Sequence, residues 1–266
     1  MPRPLAIVTG ASSGIGAALA PLLARDGWDL VLVARREALL ADLASRIARE
    51  VPGAVAMPFA LDLLAPDAAR RLVDRAPAAT LVVNCAGFGV FTRALETDDE
   101  TYRRMIALNV TALTDVTLAF ARLMVERGGG TIFNVASTAA FQAMPFASVY
   151  AATKAYVVSM SEGIHFELRG RGVSVLAFCP GPTETEFIGV AGVAEEQVAK
   201  GKKFFQSPEA VAASAARAIR RRAETRVPGF LNNILAFLAR TSPRRISRWF
   251  AGRMFEPPAR KLPPPG

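Results

Sequence analysis

Tyr150 and Lys154 stand four residues apart at the head of a helical pattern, so both side chains fall on one helix face. That pairing has a chemical use. A tyrosine hydroxyl with an ordinary pKa of ~10 is a weak acid–base catalyst at neutral pH. An ammonium beside it stabilises the phenolate and lowers that pKa. The hydroxyl then suits the transfer of a proton to an oxygen that is gaining charge, as a carbonyl does during reduction. Taken alone, Tyr-x-x-x-Lys is more often a surface helix pair. Ser137, at the end of a strand-like run, and a glycine-rich turn upstream favour the chemical reading.

The turn is Thr9-Gly10-Ala11-Ser12-Ser13-Gly14-Ile15-Gly16, preceded by the β-prone Leu5-Ala6-Ile7-Val8 and followed by a helical pattern. A strand, a glycine turn and a helix start gather backbone N–H groups and the positive end of a helix dipole at one point, which makes a pyrophosphate site. Gly10, Gly14 and Gly16 respectively allow the tight turn, the approach of the phosphates and the packing of helix on strand. Ser12, Ser13 and Ile15 complete the cradle. A glycine turn without a ligand is the alternative, and the strand-before, helix-after context argues against it. The second strand ends Val33-Ala34-Arg35-Arg36, with no acid at 34–36. An acid there would bind the ribose hydroxyl of NAD, whereas an arginine suits the 2′-phosphate of NADP. Arg35 is the candidate phosphate partner, with Arg36 to stack or assist. A pair of solvated surface arginines is the other reading.

Positioning these residues requires an alternation of strands and helices. Strand-like runs at 5–9, 29–34, 54–60, 80–84, 131–136 and 173–179 are near-continuously apolar, as parallel strands covered on both faces are. Helical patterns lie between them at 14–26, 37–50, 66–75, 98–127 and 148–169. The order predicts an α/β fold: a doubly wound, Rossmann-type parallel sheet in three layers, with a C-terminal helical extension. Residues 1–228 read as one dinucleotide-binding and catalytic domain. Residues 229–266 read as a basic amphipathic helical extension ending in a proline-rich tail.

Together these features resemble the single-domain branch of the short-chain dehydrogenase/reductase family, from residue 5 to about 190. The resemblance rests on the glycine motif at 9–16, Asp62 in Leu61-Asp62-Leu63, and Asn84-Cys85-Ala86-Gly87. It continues through Asn109, Ser137, Tyr150-x-x-x-Lys154 and Pro180-Gly181. Cys85 stands where the family usually has a second asparagine, at a position expected to be buried. The resemblance implies hydride transfer from a nicotinamide cofactor to a carbonyl, protonated by Tyr150. It implies that Ser137 hydrogen-bonds the carbonyl oxygen, that Tyr150 also contacts the cofactor and Lys154 the nicotinamide ribose, and that Asn109 supports a proton relay through water. Asp62 would meet the adenine edge. Asn84, Ala86 and Gly87 would lie along the cofactor, and Pro180, Gly181, Thr183 and Thr185 at its nicotinamide end. Homo-oligomers through the helices at 98–127 and 148–169 are expected on the same ground. Singly, Ser137 can be a turn residue, Asn109 a satisfied polar group and Asp62 a strand-terminal turn former.

The loop Thr138–Phe146 and the segment Phe187–Val190 are apolar, which favours a hydrophobic ketone, aldehyde or acyl-type carbonyl over a sugar, although ordinary packing would use the same residues. The two cysteines, Cys85 and Cys179, offer neither a disulfide framework nor a metal site and point to a reducing, cytoplasmic setting. No signal peptide is expected ahead of the strand at 5–9, and no run reaches the ~18 apolar residues of a membrane span. Charge is uneven. Residues 217–261 carry +10 and the rest −1, within a net charge of +9. Phe230, Leu231, Ile234, Leu235, Phe237 and Leu238 form one apolar helical cluster. Ile246, Trp249, Phe250 and Met254 form a second, with Arg244, Arg245 and Arg248 across the helix. Such helices pack on the body, on a partner subunit or on an anionic membrane surface. No nucleic-acid-binding motif accompanies the charge. Two functions remain: an NADP-dependent reductase, or a catalytically silent NADP-binding scaffold that docks through its basic helices. The full set Asn109, Ser137, Tyr150 and Lys154 favours the enzyme.

Overall fold

The computed structural model describes residues 2–192 and 205–256; the proline-rich tail lies outside the described residues. Seven parallel strands run β1 (Leu5–Thr9), β2 (Asp29–Ala34), β3 (Ala56–Ala60), β4 (Ala79–Asn84), β5 (Gly130–Val135), β6 (Val173–Phe178) and β7 (Thr225–Arg226). Their spatial order is β3-β2-β1-β4-β5-β6-β7. The order reverses between β1 and β4, which opens a crevice at the carboxyl ends of the strands.

The apolar runs alternate faces as a pleated strand must. Val31, Ile7, Val82, Ile132 and Val175 stand in register across five strands and point to one layer. That layer contains α3 (Ala68–Arg75), α5 (Leu113–Glu126) and part of α6 (Ser148–Leu168). The intervening residues Leu32, Val8, Val83, Phe133 and Leu176 point the other way. They pack on α1 (Gly14–Arg25) and on α8 (Pro208–Arg221), while α2 (Glu37–Glu50) covers β2 and β3. The expected parallel three-layer sheet and C-terminal helices are thus present. Pro58, which lacks an N–H, sits in β3 at the sheet edge, where the missing donor faces no neighbour.

Two features differ from the pattern in the sequence. The helix expected over 98–127 is divided into α4 (Asp99–Ile106), a π turn over Ala107–Ala112 and α5. Asp98 caps α4 by accepting the Thr101 N–H at 2.8 Å. The stretch Asp99–Glu126 is long and apolar enough to cross a membrane by length and composition. Here it packs on the sheet, with Val116, Phe120 and Met124 buried. In addition, α8 and β7 lie in a stretch whose alternation was not apparent. The α8 start is a strong cap: Ser207 Oγ accepts the Ala210 N–H at 3.1 Å and proline follows at the first helical position. β7 pairs only Thr225 and Arg226 with β6, too short for a hydrophobic period. The chain ends its described course with α9 (Phe230–Thr241) and α10 (Arg244–Phe255).

Candidate active site

A cleft of about 1470 Å³ runs along the carboxyl ends of the strands. Its floor at one end is the turn from β1 to α1. Gly10 adopts φ +69°, and a Cβ there would come within 2.9 Å of the Ala86 backbone nitrogen. Gly14 adopts φ +55°, with a would-be Cβ 3.1 Å from Thr185 Cγ2. Ser13 makes no side-chain cap on α1, so the first N–H groups of that helix remain available to an anion. Gly16 lies behind the cradle, buried, where a Cβ would sit 2.5 Å from the Gly10 carbonyl oxygen. Thr9 Oγ1 accepts the N–H groups of Cys85 (3.0 Å) and Ala86 (3.2 Å) and locks the ends of β1 and β4 together. This bare, backbone-lined cradle fits the pyrophosphate of a dinucleotide.

Gly10, Ser12, Ser13, Gly14, Ile15, Arg35, Asp62, Ala86, Gly87, Ser137, Tyr150, Lys154, Pro180, Gly181, Thr183 and Thr185 all line the cleft. The remaining candidates lie behind it. Asn84 is buried, and its amide donates to Asn134 Oδ1 (2.9 Å) and Thr117 Oγ1 (3.2 Å). Asn109 is fully buried in the π turn. Its Nδ2 donates to the Phe88 carbonyl (2.8 Å) and to Thr153 Oγ1 (3.2 Å), and its Oδ1 accepts the Phe88 N–H (3.1 Å). A π turn inserts one residue into a helix and re-aims its neighbours, and such turns gather at functional sites. Cys85 is half-buried on the cleft floor rather than fully enclosed.

At the arginine end, Arg36 contacts Ser12 Oγ (3.1 Å) and pairs with Glu186 (2.9 Å) on α7 (Glu186–Val190). Arg35 is exposed at the cleft edge, and among the described residues no carboxylate holds it. Asp62 lines the cleft and accepts the Leu64 N–H at 3.0 Å, a turn contact.

The centre of the cleft carries the titratable group set. Tyr150 and Lys154 occupy the first two turns of α6, and both are buried. Lys154 Nζ donates to the Val135 carbonyl at 2.9 Å and lies 5.9 Å from the centroid of the Tyr150 ring. Ser137 caps the turn after β5, accepts the Ala139 N–H at 3.1 Å and hydrogen-bonds Tyr150. Burial pushes the Tyr150 hydroxyl up to about 12, against the lowering effect of Ser137. Burial pushes Lys154 down to about 8. In the protein alone burial outweighs every lowering influence on the Tyr150 hydroxyl, so the net direction is upward despite the nearby lysine. The thiols of Cys85 and Cys179, pushed by burial to about 11 and about 12, are neutral at pH 7 and add no charge of their own.

The far end of the cleft is apolar. Phe91 and Phe187 flank Tyr150 at 5.6 and 5.5 Å between ring centroids, and Phe255 of α10 reaches Phe91 at 6.1 Å. Phe88 and Phe91 stand one and four residues beyond Asn84-Cys85-Ala86-Gly87, and their place in the site had no signal beyond being apolar. Leu235, Leu238, Ile246 and Phe250 of α9 and α10 complete this end. Gly10-Ala11-Ser12-Ser13-Gly14 also spells the Gly-x-Ser-x-Gly of a hydrolase elbow. The single histidine, His165, accepts the Val175 N–H at 3.3 Å and does not line the cleft, so no Ser–His pair forms.

A doubly wound sheet with a dinucleotide cradle and a Ser-Tyr-Lys cluster defines a class of nucleotide-dependent oxidoreductase folds. Residues 4–195 match the short chain dehydrogenase family, and the chain belongs to that family. It is 36% identical over 193 residues to the probable oxidoreductase EphD of Mycobacterium tuberculosis, covering 71% of this chain. It spans only about a third of the length of that relative, 32%. A short-chain dehydrogenase from Sphingobium yanoikuyae, solved in complex with NADPH, superimposes with a TM-score of 0.79 at 31% identity, covering 91% of this chain and 97% of that one. The bulky-bulky ketone specific alcohol dehydrogenase from Comamonas testosteroni gives a TM-score of 0.75 at 26% identity, covering 92% and 96%.

Proposed function

We propose that this chain is an NADP-dependent reductase of hydrophobic ketones, aldehydes or acyl-type carbonyls. The observation that carries the reading is the meeting of Ser137, Tyr150 and Lys154 in one cleft with the bare start of α1. When bound, the nicotinamide supplies or accepts a hydride. The chain's own residues do the rest. The N–H groups of α1 hold the pyrophosphate, and Arg35 holds the 2′-phosphate. Ser137 donates a hydrogen bond to the substrate oxygen. Tyr150, with a pKa pushed up to about 12, is fully protonated at neutral pH and gives its proton to that oxygen as it becomes an alkoxide. Lys154 in its charged form then stabilises the phenolate left behind. Asn109 acts first by position. Its amide is committed to Phe88 and Thr153, and Thr153 Oγ1 donates to the Tyr150 carbonyl at 2.7 Å. Any relay at Asn109 therefore runs through its backbone and water.

The apolar far end supports a substrate with large hydrophobic groups, in keeping with the ketone-specific relative. The strands and helices up to β7 serve as the catalytic body, and Leu235, Leu238, Ile246 and Phe250 roof the substrate end. The test is a spectrophotometric screen of NADPH oxidation over ketones and aldehydes of rising size, with NADH as control. Turnover that rises with apolar bulk and prefers NADPH supports the reading; absence of turnover across the panel returns the scaffold alternative.

A further inference from the structure

The helices α9 and α10 bury little of themselves. In α9 only Asn232 and Ala236 are buried, and in α10 only Ser247 and Ala251, among the side chains described. The outward residues are large and apolar: Phe230 is 84% exposed, Phe237 63%, Trp249 57% and Phe250 62%. A contiguous apolar patch of this kind marks an interaction face. Between Phe230 and Phe255 the chain has five arginines and no acid. Among the described residues none of the five meets a carboxylate.

Charge selects the occupant. A second copy placed on this face by a two-fold axis would crowd two sets of five arginines along the rim of one interface, with no acid in the helix pair to offset them. Nucleic acid would match the charge but leave Phe230, Phe237 and Trp249 without an apolar partner. An anionic lipid bilayer satisfies both, since arginines meet headgroups while phenyl and indole rings enter the interface. Leu235, Leu238, Ile246 and Phe250 line the cleft and are also exposed, so the cleft opens through this same face.

We propose that α9 and α10 form an interfacial anchor for anionic membranes, and that the cleft takes its carbonyl substrate from the bilayer. The second half rests on the reductase reading; the first does not. The experiment is flotation of the full chain, with NADPH present, on phosphatidylcholine vesicles with and without phosphatidylglycerol. Trp249 emission is read in parallel. The chain floats with the phosphatidylglycerol vesicles and not with phosphatidylcholine alone, and its emission shifts to the blue in wild type but not in Trp249→Phe. Raising salt releases it. The triple variant R244E/R245E/R248E binds at least on the order of a hundredfold more weakly. Turnover of a small water-soluble ketone is unchanged in that variant, which separates the anchor from the catalytic reading. Failure to float with anionic vesicles at low salt overturns the anchor. So does equal flotation of the triple variant, or a lipid-free dimer that shields Trp249. If vesicles bind but a membrane-dissolved ketone is reduced no faster than in lipid-free dispersion, the entry route is overturned.

Discussion

The two ends of the cleft are built from different materials. The cofactor end is made of backbone: a glycine turn, an uncapped helix start and strand ends locked by Thr9. The substrate end is made of side chains from separate segments: Phe91 after β4, Phe187 on α7, and Leu235 and Phe255 on the last two helices. Backbone geometry tolerates almost no change, because a Cβ has nowhere to go. Side-chain walls can be resized one residue at a time without disturbing the sheet. The difference explains how one fold keeps its cofactor while its substrate end is free to diverge.

This contrast can be broken at either end. The largest effect is expected from Gly10→Val. It forces a β-branched residue into φ +69° with its Cβ 2.9 Å from the Ala86 backbone nitrogen. NADPH affinity, read by fluorescence titration, should fall roughly 100-fold, or about 3 kcal/mol. Next is Arg35→Ser, which should raise the KM for NADPH by roughly 10-fold or more while leaving NADH unchanged, since only the 2′-phosphate partner is lost. An equal effect on both cofactors would assign the phosphate elsewhere, with Arg36 the first suspect. A pH profile comes third. Lys154, lowered to about 8, is charged below that value and neutral above it. The kcat/KM for reduction should be level near pH 7 and fall about tenfold per unit well above pH 8. At the substrate end, Phe91→Ala should raise the KM for a bulky ketone only about fivefold, the worth of one aromatic contact, with NADPH binding unaltered.

The same contrast governs what was legible in the sequence. Gly10, Gly14 and Gly16 announce the cradle because backbone geometry admits few residue types. Tyr150 and Lys154 are legible because helix spacing puts them on one face and the upstream cradle and Ser137 give that face a use. The strands were legible since burial on both faces leaves continuous apolar runs. The π turn at Ala107–Ala112 was not, because no proline or glycine marks it and its cause is tertiary: Asn109 reaching Phe88 and Thr153. The two-residue β7 is shorter than any period. Phe88 and Phe91 differ from core phenylalanines only by where the chain places them. The upward push on the Tyr150 pKa is illegible for a related reason. Helix spacing shows that a lysine is near, but not how deeply the fold buries the hydroxyl.

The central claim is that Tyr150 delivers the proton in a cleft whose phosphate cradle holds the cofactor without need of the Tyr150 hydroxyl. The direct measurement is Tyr150→Phe, assayed with the best ketone from the screen and titrated with NADPH on the same preparation. Loss of one hydroxyl should lower kcat by roughly 10³-fold while the NADPH dissociation constant stays within about twofold. A variant that retains turnover would contradict the account, as would one whose NADPH binding collapses together with its rate.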